Sequence, residues 1–290
     1  MIVPGLLLMI VLGLLLPGVQ ARLRAVVRRR RVLVLAGPLA LAGIFAGAAW
    51  NVGAGSIPLT ALVLAYTLAP TLLVLWREAT PEVARWSDMA AILMLWLPLE
   101  FAAGASLDPK PAQGYLHAVA YGVSIVLALW LFLIYRGLKG MKYNPPRSAK
   151  DLSNPLLGFL VLAPILGVLG LLIGFLEPMH LPHVAWFKLP LRYLVIFCAT
   201  ALPEEILFRG LIQNWITQRF GANNRTLLAA GFIFGCSHLN NGPLPLPNWR
   251  YMILATLAGI VFGRVFQKST SIVSSVSLHA AVDTVKYAIF

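Results

Sequence analysis

Charge is what this chain has least of. Only 11% of its 290 residues are charged, and acidic side chains number 10 against 23 Lys and Arg, where soluble domains carry about 25% charged residues. With 59% hydrophobic residues and a mean hydropathy of +0.82, the composition excludes an ordinary soluble domain and implies a polytopic membrane protein. Cysteine is equally scarce. Cys198 and Cys236 both fall inside apolar runs, which gives neither a disulfide framework nor a metal-type spacing and leaves them as small buried hydrophobes. Two protease signatures are missing as well. Without His-Glu-x-x-His there is no standard zinc-protease helix, and without Gly-x-Ser-Gly there is no rhomboid-type serine nucleophile. The formal charge of +13 would point to nucleic acid in a soluble chain; here the basic residues cluster in short loops between apolar runs, so no nucleic-acid partner is implied.

What is present is a series of ten apolar runs bounded by charges, Gly or Pro, near 2–17, 32–51, 57–76, 89–104, 115–135, 155–176, 190–216, 226–239, 251–266 and 272–290. Measured against the ~20 residues needed to cross the hydrocarbon core, these give an all-α transmembrane bundle of about 8–10 spans. The fourth and eighth runs are short enough to be tilted or re-entrant. The run at 2–17 lacks a basic segment ahead of it and is read as a retained first span.

With the N-terminus outside the cytoplasm, seventeen of the 23 Lys and Arg fall in inner loops, including Arg77, and four fall outside: Lys110, Lys188, Arg192 and Arg250. That asymmetry fits a multi-pass protein of a plasma membrane, and the Ala/Leu-rich composition suggests a bacterial inner membrane. Six arginines between the first two runs, Arg22, Arg24 and Arg28 to Arg31, would attract anionic head groups at about 1 kcal/mol each. The longest polar connection, 136–153, contains Asn144-Pro145-Pro146-Arg147 and breaks any helix, so the chain is expected to divide into 1–150 and 151–290. The first half has almost no charge within its runs, Glu100 excepted, and reads as a supporting layer of helices.

The polar chemistry lies in the second half. Pro203-Glu204-Glu205-Ile206-Leu207-Phe208-Arg209 places two carboxylates and a guanidinium inside an apolar run. An acidic residue at the centre of a bilayer costs on the order of 2.5–3.5 kcal/mol and marks function by default. On an α-helix Glu205 and Arg209 are about 40° apart and can pair, whereas Glu204 points about 140° away from Arg209, toward the bundle interior, free to hold a water. Phe234-Gly235-Cys236-Ser237-His238 follows on the next run, and His279-Ala280-Ala281-Val282-Asp283 on the last puts an imidazole and a carboxylate on one helix face. Each motif alone is compatible with a structural pair. Counted from the inner ends of their runs, however, Glu204, His238 and His279 lie at a similar depth, roughly 12–18 Å. At one level they can activate water and stabilise charge.

These three motifs, in this order on successive hydrophobic segments, resemble the signature of the CAAX protease and bacteriocin-processing (CPBP, or abortive-infection) family, which includes the Ras-converting CAAX prenyl endopeptidase. The resemblance covers roughly residues 155–290. It implies a glutamate-dependent intramembrane endopeptidase, with Glu204 as general base, His238 assisting, His279 and residue 283 forming the oxyanion site, and Glu205 with Arg209 in support. It also implies no cofactor, a membrane-associated peptide or protein as substrate, and the lipid bilayer as surroundings. Position 283 is Asp where the family's pattern has Asn. A carboxylate cannot donate a hydrogen bond unless protonated, so Asp283 either carries a proton or orients His279 by accepting its N–H, and the second is favoured. Two other readings remain open. Glu204, His238, His279 and Asp283 form a plausible zinc ligand set, and intramembrane charges also serve non-enzymatic immunity or transport proteins.

Overall fold

A computed structural model describes residues 2–76, 83–102, 112–177, 185–242 and 245–289. Arg77, Lys110 and the ends of two expected spans, at 103–104 and 290, lie outside the described residues. Those described are helical and irregular, with no strand among them. The helices are α1 (Ile2–Gly13), α2 (Pro17–Arg29), α3 (Ala36–Asn51), α4 (Ile57–Leu75), α5 (Trp86–Glu100), α6 (Gln113–Ala128), α7 (Lys150–Leu172), α8 (Leu189–Ile196), α9 (Leu202–Glu205), α10 (Asn214–Phe220), α11 (Asn224–Cys236), α12 (Trp249–Lys268) and α13 (Val273–Ile289).

All ten apolar runs contain helix. Five helical segments, Arg31–Asn51, Ile57–Leu75, Gln113–Tyr135, Lys150–Leu172 and Trp249–Lys268, are long and apolar enough to cross a membrane by themselves. The 15 residues of α5, 13 of α11 and 17 of α13 reach only about 20–26 Å at 1.5 Å per residue. On α7, Leu156, Leu157, Leu160 and Val168 are each at least 60% exposed. Such a stripe is intolerable in water and ordinary against lipid acyl chains. The protein is a multi-pass integral membrane protein built as a helical bundle.

Contacts divide the chain into two compact units, 1–140 and 141–290, ten residues short of the boundary drawn from the sequence. In the first, the run expected as one span at 2–17 holds α1 and ends on Pro17, the first residue of α2. The 12 residues of α1 end in a bend of 93°, and α2 starts at Pro17, a residue suited to the first turn because its missing N–H needs no partner there. The unit also buries a charge pair the sequence reading did not single out. Arg136 grips Asp88 with Nε to Oδ1 at 3.0 Å and Nη2 to Oδ2 at 2.8 Å, both side chains 1% exposed. Because Asp88 Oδ2 also accepts from the Arg85 backbone N–H at 2.8 Å, one carboxylate caps α5 and fixes it to the end of α6.

In the second unit, α7 packs on α12 and α13, and α11 lies along α12. The α11–α12 approach depends on Gly231 and Gly235. A Cβ on Gly235 would sit 2.7 Å from the Met252 carbonyl oxygen, and one on Gly231 3.0 Å from the Ile260 nitrogen. Small residues four apart are how membrane helices bring their backbones together. The connection expected to be a mere linker holds the other end of this unit. Lys142 Nζ donates to the carbonyls of Phe266, Gln267 and Ser269 at 2.7–3.1 Å, closing the C-terminus of α12. Asp151 accepts from the backbone N–H groups of Arg147, Ser148 and Thr270 at 2.6–3.0 Å. The turn between α12 and α13 is thereby tied to the start of α7, which fixes the rotation of α13.

Candidate active site

From Leu189 to Phe220 the chain runs as one helical rod in which α-helical pieces alternate with π turns at Phe197–Ala201 and Ile206–Gln213. The two π turns bracket Leu202-Pro203-Glu204-Glu205. Pro203 has no N–H for the carbonyl four residues back, and the wider π ring just before it resets the hydrogen-bond ladder. The simple helical wheel gives the two glutamates different neighbours.

Both glutamates instead meet one imidazole on α13. Glu205 Oε1 lies 3.1 Å from His279 Nδ1, while Glu204 Oε2 lies 3.9 Å and Asp283 Oδ2 3.5 Å from His279 Nε2. A carboxylate only accepts, so Nδ1 carries the hydrogen given to Glu205. Glu205 is fully buried, and its second oxygen is 3.2 Å from Arg209 Nε. This ion pair is Coulombic rather than a well-directed hydrogen bond, since neither atom meets hydrogen-bond geometry. Arg209 is 2% exposed, donates from Nη2 to the Gly259 carbonyl at 3.3 Å, and lies 4.4 Å over the Phe234 ring. The expected Glu205–Arg209 pair is thus present, with His279 as a third member.

His238 stands apart from this cluster. Its Nδ1 is 2.9 Å from the Phe234 carbonyl oxygen and 3.2 Å from Ser237 Oγ, so Nδ1–H donates to Phe234 and Nε2 keeps a lone pair. Phe234 joins the two parts. Its ring makes edge contacts with His238 at 4.7 Å and His279 at 5.8 Å between centroids, and Phe262 stacks on His279 at 4.7 Å. Glu204, His238, His279 and Asp283 all line one cavity of about 120 Å³, walled by Phe234 and Tyr251 among others. Phe234 was legible only as the first residue of Phe-x-x-x-His; Tyr251, 4.5 Å from the His238 ring, carried no sequence signal. Cys198 and Cys236 are free and half-buried rather than fully buried.

Among the described residues no group of three or more His, Cys, Asp or Glu side chains is placed to hold a metal ion. Of the zinc ligand set read from the sequence, His279 Nε2 and Asp283 Oδ2 lie 3.5 Å apart.

A multi-pass helical membrane protein with a carboxylate–imidazole cluster on a half-open cavity is the class that this fold and site define. Residues 185–285, which contain all six side chains, match the family model described as type II CAAX prenyl endopeptidase Rce1-like. That match agrees with the resemblance read from the three motifs. No curated protein and no solved structure matches the chain.

Proposed function

We propose that this protein is a glutamate-dependent intramembrane endopeptidase that hydrolyses a peptide bond of a membrane-associated protein or peptide in a bacterial inner membrane. The observation that carries the reading is the convergence of Glu204, His279 and Asp283 on one cavity with Glu205 and Arg209 behind them. Glu204 takes a proton from water as its oxygen attacks the carbonyl carbon, and returns it to the departing amine. His238, with its Nε2 lone pair facing the cavity, helps to hold that water. His279, fixed by Glu205 on one nitrogen and by Asp283 on the other, meets the developing oxyanion with its N–H. The 3.5 Å contact supports Asp283 as the group that orients His279 rather than as a donor. The six side chains supply base, orientation and charge without a cofactor.

Glu204→Gln tests the reading. Membranes from cells carrying the wild-type and variant chains are compared for a precursor that accumulates uncleaved in the variant, and a farnesylated peptide ending in a CAAX sequence is assayed in parallel. Correctly folded Glu204→Gln with unchanged processing would sink the proposal. Cleavage abolished by a chelator and restored by zinc would replace Glu204 as base with a metal-bound water.

A further inference from the structure

The basic stretch ahead of α3 is a shaped surface, and the site described above does not use it. At 1.5 Å per residue α1 is only about 18 Å long, and α2 leaves it at 93°, close to perpendicular. Around α2 the side chains sort into three sectors. Gln20, Arg24 and Val27 face the protein: Gln20 Nε2 donates to the Leu14 carbonyl at 2.7 Å, Arg24 Nε donates to the Leu133 carbonyl at 3.0 Å, and Val27 is 3% exposed. Val19 and Val26, seven residues apart and so within about 20° of each other on the wheel, form an exposed apolar stripe with Leu16 beside them. Arg22 and Arg29, also seven apart, lie about 60° further round and are exposed; Arg28 is exposed about 180° from Val19, and Arg30 follows the helix. None of these four arginines has an acidic partner among the described residues.

We propose that α2 lies in the plane of one membrane surface, with Val19 and Val26 in the acyl-chain boundary and Arg22 and Arg29 on the phosphates of anionic phospholipids. A helix with one basic face and one apolar face, unable to span, takes this position because it buries the apolar stripe while keeping the guanidinium groups at head-group level. Docking of α2 on the end of α6 through Arg24 fixes which stripe turns to the lipid. The occupant is a lipid surface rather than a protein because the cationic and apolar sectors are adjacent strips along one helix, matching the order of head group and acyl chain.

The test uses the full chain, with Cys198 and Cys236 replaced by Ala, in nanodiscs of phosphatidylglycerol and phosphatidylcholine in equal parts. A fluorophore is placed in turn at Val19→Cys, Val26→Cys, Ala21→Cys and Ala25→Cys. Nitroxide on the acyl chains should quench positions 19 and 26 at least threefold more than 21 and 25, and aqueous iodide should show the reverse. Equal quenching at all four sites, or the opposite pattern, overturns the in-plane placement. For the head groups, phosphatidylglycerol retained on the purified protein is measured by native mass spectrometry in the wild type and in Arg22→Gln/Arg29→Gln. Each arginine near a surface accounts for about fivefold in binding, so the variant should lose at least tenfold of its enrichment over phosphatidylcholine. Unchanged enrichment in a variant with unaltered unfolding refutes the phosphate contacts.

Discussion

Adjacent glutamates with opposite duties can be separated by one pair of substitutions. Glu205 is fully buried and is the counter-ion of Arg209, which is itself 2% exposed. Glu205→Gln keeps an oxygen for His279 Nδ1 but leaves the guanidinium without a charge partner, and breaking a buried pair from one side costs about 3–5 kcal/mol. Replacing both members removes that uncompensated charge, so Glu205→Gln/Arg209→Met should recover at least about 2 kcal/mol of the loss. Glu204 is held more loosely, its Oε2 lying 3.9 Å from His279 Nε2. Glu204→Gln should therefore leave stability within about 0.5 kcal/mol of wild type while lowering turnover by about 10²–10⁴-fold, the range of a general base. Unfolding midpoints in detergent, taken with cleavage of the accumulated precursor, read both quantities. A stable Glu205→Gln, or a double variant no better than the single, refutes the assignment of Glu205 as a structural counter-ion. A strongly destabilised Glu204→Gln refutes the division between the two.

Gly235→Ala should destabilise the protein by about 1–3 kcal/mol, because its methyl group meets the Met252 carbonyl, and it should also weaken cleavage by shifting His238 three residues on; unfolding and turnover measured together check both. Asp151→Asn removes a charged acceptor from Thr270 and the α7 N-terminus. With charged hydrogen bonds at about 1.5–3 kcal/mol each, a loss of about 3 kcal/mol is expected in the unfolding midpoint, with lowered turnover through the altered rotation of α13. Asp283→Asn should keep only part of the activity, since the amide can still accept from His279 but carries no charge; full activity across the pH range would instead make residue 283 an oxyanion donor.

Composition and periodicity were enough to determine the class of this protein and the position of its helices, because crossing hydrocarbon leaves a long apolar run as the only option for a helix. The cost of placing carboxylates in such a run likewise marked Glu204 and Glu205, and the ordered spacing with His238, His279 and Asp283 marked the rest of the cluster. Which atom meets which was decided by tertiary structure. Glu205 meets His279, a contact between residues 74 apart that no helical wheel contains. Asp151 and Lys142 read as linker residues because the partners that tie them to α12 and the turn after it, the Thr270 N–H and the Phe266 carbonyl among them, are backbone groups more than 100 residues away with no side-chain signature. The bend after α1 was hidden for a related reason: hydropathy measures how apolar a stretch is and is silent about the direction in which the chain leaves it.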